Sequence, residues 1–108
     1  MSPLLGAWQI TALLPGPRPV AQPATIAFET QRLFLYAGCN RGVGAYRLED
    51  STLVAGPVAL TMKFCPDMRV EQHLCAALSQ PLTLDIQRDR LVARGASLGF
   101  EAVRGGQD

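Results

Sequence analysis

The window Asp67–Gln80, DMRVEQHLCAALSQ, sets the terms for this chain, because apolar residues recur there at helical spacing while elsewhere they alternate. It contains neither Gly nor Pro, and Pro81 stops it. The Asp67 carboxylate is placed to accept from the free N–H groups of the first turn. At 100° per residue, Met68, Val70, Leu74, Cys75, Ala77 and Leu78 share one broad apolar face, with Arg69, Gln72, Ala76, Ser79 and Gln80 opposite. A helix of this kind must lay its face on something else. The remaining chain offers only strands for it to cover.

Those strands are read from period-two alternation and turn residues. AWQITALL, ATIAFET, RLFLYAG, VGAYRLED, STLVAG, LTLDIQ, RLVARG and SLGFEAV each fit a half-buried strand. PVALTMKFC is a further strand or an extended crossing. PGPRPVAQP, with four prolines, predicts an irregular loop, since proline cannot donate to a ladder. The tail RGGQD is expected to fray. Strands in sequence, one helix, then the last strands predict an α+β fold in a single domain spanning residues 1–108. Its sheet is mostly antiparallel and strongly curved, an incomplete, cracked β-barrel with one helix over residues 67–80 packed on it.

Composition removes several function classes. The ten basic residues and nine acidic ones give a net charge of +1, and the arginines are scattered with no basic run, so no nucleic-acid partner is expected. No apolar stretch approaches the ~20 residues that span a bilayer. MSPLLGAW lacks the charged and apolar regions of a signal peptide and a lipobox cysteine, so membrane association is expected only through an anchor absent from this sequence. No phosphate-binding glycine loop is present; GVGAY has neither the length nor a following helix. No cofactor is expected.

The residues that could carry chemistry are few. Cys39 and Cys65 each end a strand-like run 26 positions apart, which suits a disulfide, but two reduced thiols fit the sequence as well. A zinc site from Cys39, Cys65, His73 and Cys75 lacks any C-x-x-C pair, and His73 and Cys75 point to different sides of the helix. His73, the only histidine, is expected at the solvent side of that helix, too far for a Cys–His pair. Cys75 falls on the apolar face, where a free thiol behaves as a small hydrophobe. Glu71 is unusual: the helical wheel places it inside the apolar sector, where a carboxylate must find a partner. The backbone around Gly38-Cys39-Asn40, the Thr61 hydroxyl or Arg41 could supply one.

In order along the chain, Leu5-Gly6-x-Trp8, Gly38-Cys39-Asn40, Gly44-x-Tyr46, Thr61-Met62-x-x-Cys65-Pro66 and Met68-x-x-Glu71 resemble the META domain family of HslJ-like bacterial heat-shock proteins. The likeness covers nearly the whole chain. It implies a curved, barrel-like α+β fold, an envelope setting in the periplasm or at the outer-membrane periphery, and no catalytic activity. It assigns structural roles to Trp8, Gly38, Asn40, Gly44, Tyr46, Thr61, Met62 and Glu71, and places the family's cysteines at Cys39 and Cys65. Phe64 and Cys75 depart from the family pattern. The glycines Gly38, Gly42 and Gly44 are expected to turn the chain at the rim of the sheet, with Asn40 left-handed or bonded back to the backbone.

Three functions follow as expectations. The first is a non-enzymatic, stress-associated binding or accessory module of the bacterial envelope, a monomer that engages an unknown protein by an edge strand or an apolar interior. The second is a carrier holding a hydrophobic ligand or lipid in a cracked barrel. The third is a thiol redox protein using Cys39. The sequence also admits a cytoplasmic location.

Overall fold

The computed structural model describes residues 3–20 and 23–105. Ten strands and one helix follow in order: β1 (Gly6–Leu14), β2 (Arg18–Pro19), β3 (Thr25–Glu29), β4 (Arg32–Tyr36), β5 (Arg41–Glu49), β6 (Thr52–Ala55), β7 (Ala59–Leu60), α1 (Arg69–Leu78), β8 (Leu82–Gln87), β9 (Arg90–Arg94) and β10 (Gly99–Arg104). Hairpin turns at Gln31, Asp50 and Arg88 use non-glycine residues with positive φ, which sharpens the strand-to-strand reversal.

All pairings are antiparallel, and the sheet closes. Strand order runs β10-β9-β8-β6-β5-β4-β3-β1, and β10 then pairs back onto β1 from Trp8–Arg104 to Leu14–Gly99. The expected crack is therefore absent: eight strands form a complete ring. The register between β1 and β10 shifts between Ile10 and Ala12, an irregularity that bends β1 enough for the first and last strands to meet. The weakest junction joins β6 to β8 by only two pairs, Thr52–Thr83 and Leu53–Leu82. Beyond it β6 leaves β8; α1 packs against β10 and turns Leu74, Ala77 and Leu78 into the core.

Two short strands decorate the ring. β2 sits on β1 through Ala12–Pro19 and Leu13–Arg18, so part of the proline-rich segment is an edge strand and not wholly irregular. Ala21 and Gln22 of that segment lie outside the described residues. β7 continues the line of β6 along β5, after a break at Gly56–Val58. The extended crossing expected over residues 57–65 is thus a two-residue strand followed by a loop.

The interior is filled with side chains. Trp8, Ile26, Phe28, Leu33, Leu53, Leu74, Leu78, Leu82, Leu91 and Phe100 are fully buried in one cluster. Alternation explains why: in β3, Ile26 and Phe28 face inward while Thr25 and Glu29 face water. In the ring, Phe28 meets Tyr46 edge to face at 5.3 Å, and the Tyr46 hydroxyl donates to the Glu29 carbonyl at 2.6 Å.

The C-terminal end is held, not frayed, up to Gly105. Arg104 donates to the carbonyls of Leu5 (2.7 Å) and Pro3 (2.6 Å), and its guanidinium lies 3.9 Å over the Trp8 ring. Gly105 N–H donates to the Ala7 carbonyl at 2.8 Å. Residues 106–108 of the expected frayed tail lie outside the described residues. Among the described residues no helix is long and apolar enough to cross a membrane.

Candidate functional site

One end of the barrel concentrates the motif residues. β4 delivers the chain to Gly38, whose φ of 93° is open to glycine and costly for other residues. Cys39 and Asn40 follow, before β5 begins at Arg41. The loop after β7, Thr61–Asp67, returns to the same place, and Cys39 is joined to Cys65 in a disulfide with Cα atoms 6.2 Å apart.

A buried polar knot lies beside that bridge. Asn40 is 3% exposed and Glu71 4%. Asn40 donates to Glu71 twice, from its backbone N–H to Oε1 (3.2 Å) and from Nδ2 to Oε2 (3.3 Å). Asn40 Nδ2 also reaches the Lys63 carbonyl at 3.1 Å. Its Oδ1 accepts from Lys63 N–H (2.7 Å) and from the Thr61 hydroxyl (2.9 Å). Thr61 Oγ1 in turn accepts from Arg41 N–H at 3.0 Å, and Thr61 N–H donates to the Arg41 carbonyl at 3.0 Å. One asparagine thus ties three segments: the start of β5, the loop after β7, and α1. Its side chain uses both donor and acceptor, leaving no polar atom of the amide idle.

Several expectations are corrected here. Of the partners expected for Glu71, the backbone at Asn40 is the one that bonds it, joined by the Asn40 amide, while the Arg41 guanidinium turns away to stack 4.8 Å over the Tyr36 ring. Asn40 is not among the positive-φ residues; its amide bonds to the backbone of a distant loop, so no left-handed turn is needed. Gly42 and Gly44 lie inside β5 and do not turn the chain. They let the break between β6 and β7 come close: a Cβ on Gly42 would stand 2.7 Å from Val58 Cγ1, and one on Gly44 3.1 Å from the Pro57 carbonyl. Met62 was expected to have a structural role, but it is 95% exposed because the loop backbone is held from the Asn40 side. Trp8 is buried and donates from Nε1 to the Leu4 carbonyl at 2.8 Å.

The helix begins two residues later than expected, at Arg69. The N-cap position falls on Met68 and not on Asp67, which sits one residue earlier, its Oδ1 accepting from Arg69 N–H at 3.1 Å and its carboxylate forming a bidentate pair with the Arg69 guanidinium. Those hydrogen bonds, the side-chain one first, hold the Asp67 carboxyl down to about 2. His73 is not at the solvent side. It is half-buried and its Nε2 lies 3.0 Å from the Gly99 carbonyl, so Nε2 carries the proton.

The chemistry open to this cluster is narrow. Cys39 is in a disulfide and is buried, so it offers no thiolate. Cys75 keeps a free thiol, half-buried in a groove of about 440 Å³ lined by Ala55, Pro57, Val58, Leu60 and Leu78. Burial, and then the Glu71 carboxylate, push that thiol up, away from the reactive thiolate. No group of three or more His, Cys, Asp or Glu gathers closely enough to hold a metal among the described residues.

Sequence reasoning passed over two residues that matter, Arg104 and Lys63. Arg104 sat in a stretch read as tail, and Lys63 takes part through its backbone, which no side-chain pattern reveals.

Comparisons with known proteins agree with this architecture. A family model described as META domain matches residues 2–101. An NMR structure of a protein from Burkholderia xenovorans superposes with a TM-score of 0.79 at 20% identity, covering 96% of this chain and 85% of that one. A second NMR structure gives a TM-score of 0.73 at 19% identity, covering 93% and 89%. At these identities the likeness is one of fold. No curated protein matches the chain.

Proposed function

The chain belongs to the META domain family, and from that premise we propose that it is a non-enzymatic, stress-associated accessory module of the bacterial envelope. Its place would be the periplasm or the outer-membrane periphery, where it would engage a partner through side chains on its surface. One observation carries the reading: the polar groups of the family motif are spent on one another. Asn40, Thr61 and Glu71 are bonded within the chain, and Cys39 and Cys65 are oxidised together, so none is aimed at a substrate.

The disulfide supports the envelope setting, because such bonds persist in oxidising compartments and are rare in the bacterial cytoplasm. The closed ring argues for recognition by side chains. Edge-strand addition needs a long unpaired ladder; the eight ring strands each have neighbours on both sides, and the edge strands β2 and β7 are two residues each. Carriage in the interior would need room, and Trp8, Phe28 and Phe100 occupy it.

Thiol counting in the denatured chain, taken from fractionated cells, tests the proposal. The expected result is one free thiol per chain, Cys75, in the envelope fraction. Three thiols in a chain confined to the cytoplasm would overturn it.

A further inference from the structure

Two large apolar side chains stand almost wholly in water on the disulfide-bound loop: Met62 is 95% exposed and Phe64 92%. The next most exposed large apolar residues, Val43 and Leu48, reach only 39%. Scattered, partly exposed apolar residues are ordinary, but two full-length side chains on one seven-residue loop are not. The loop is also rigidly backed. Cys65 is bonded to Cys39, Lys63 is held through both its N–H and its carbonyl by Asn40, and Thr61 is held by Arg41 and Asn40. Its tip therefore loses little freedom on contact with a partner.

The charge around the tip is one-sided. Lys63 separates Met62 from Phe64 in sequence. Arg18 lines a groove with Asp67 and Arg69 beside the loop, while Arg41 meets Thr61 only through its backbone. Asp67 is the exposed carboxylate among them, and Arg69 already neutralises it. Glu71 is buried.

We propose that the Met62–Phe64 tip is a membrane-insertion loop that seats this end of the barrel on an anionic bilayer surface. This rests on the envelope placement proposed above, which puts such a surface within reach, and it needs no anchor. Two side chains as exposed as these suit a phase that deforms around them. A protein partner would have to supply a matching pair of holes. Phe64 and Met62 enter the acyl boundary, while Lys63 and Arg18 stay at headgroup level, the lysine by extending its stem. Each cation near an anionic surface adds about fivefold in affinity, and burying Phe or Met about tenfold or more.

Flotation of the full, oxidised chain with phosphatidylcholine vesicles, with and without phosphatidylglycerol, provides the test. The wild type is expected to bind the anionic vesicles at least about tenfold better than the neutral ones, and to lose binding as salt rises. Phe64→Ser is expected to cut binding about tenfold or more, and Lys63→Glu about tenfold or more, with unchanged melting temperatures. Equal binding to neutral vesicles, no binding to either, or full binding by Phe64→Ser at an unchanged melting temperature would each overturn the inference. A concentration-dependent dimer abolished by Phe64→Ser, in a chain that ignores vesicles, would overturn it too and give the surface to a second copy. The thiol count is independent of the vesicles. A one-thiol envelope chain that ignores them overturns this inference alone, and a three-thiol cytoplasmic chain overturns the envelope reading.

Discussion

The barrel is fastened at two places by opposite means. At one end, Asn40 and Glu71 are buried and almost free of water, and a covalent bond lies beside them. At the other, Arg104 clamps the first strand to the last from the surface, stacked on the buried Trp8 and bonded to the carbonyls of Leu5 and Pro3. The two ends are distinct because β3 and β4 run between them. Thr25–Tyr36 is their pair nearest the knot, and Glu29–Arg32 is their pair nearest the start of β1. A buried polar knot is costly to break, since each orphaned group loses its partner and gains no water. A surface clamp on apolar packing is cheaper to lose, because water replaces what the mutation removes.

Asn40→Ala should be the harshest test of this contrast. It strips Glu71 Oε2, Lys63 N–H and the Thr61 hydroxyl of their partner, and should cost about 3–5 kcal/mol, a value read from urea unfolding. Should it cost no more than the loss of Arg104, the knot would be ornament and the contrast would fail. Reducing Cys39–Cys65 comes next. The closed loop of 26 residues should be worth about 3–4 kcal/mol on the chain-entropy model, seen as a lower denaturation midpoint in reductant.

Arg104→Ala should cost about 1–2 kcal/mol, by loss of the cation–π contact and the charge-assisted bonds, and Arg104→Lys should recover part of it. The smallest effect is that of the exposed Asp67–Arg69 pair, next to the knot in sequence but outside it in burial. The Asp67 carboxyl is held down to about 2, below its ordinary value near 4. Its contribution is therefore complete above about pH 4 and disappears as pH falls toward 2. The stability difference between the wild type and Asp67→Asn should be small and should shrink across that window in acid titrations followed by circular dichroism. A difference constant down to pH 2 would show that the pair does not act through charge.

The same contrast explains what could be read from the sequence. Strands and helix were legible because alternation and helical periodicity are local, and helix ends shift by a residue or two for the usual reasons of fraying. Glu71 announced itself by sitting in an apolar sector, which called for a partner and narrowed it to three, of which the Asn40 backbone is the one that bonds it. Ring closure was not legible, since nothing local in Gly6–Leu14 marks Gly99–Arg104 as its neighbour. Gly42 and Gly44 looked like turn residues because glycine allows two roles, a positive φ or a close approach, and the second depends on Pro57 and Val58 arriving from elsewhere. Met62 looked structural because it lies in the motif, yet the loop is held by its backbone, which leaves the side chain outside.

Closure of β1 on β10 also constrains the order of events during synthesis. The Arg104 guanidinium binds the carbonyl of a residue 99 positions earlier, so the ring cannot form until Gly99–Arg104 has been made. Until then Trp8 and the inward face of β1 have no permanent cover, and a nascent chain exposes them to whatever waits nearby. Contacts this distant in sequence make for slow folding. A chain built this way must stay soluble while incomplete, and it is during that interval, more than after closure, that a chaperone would matter to it.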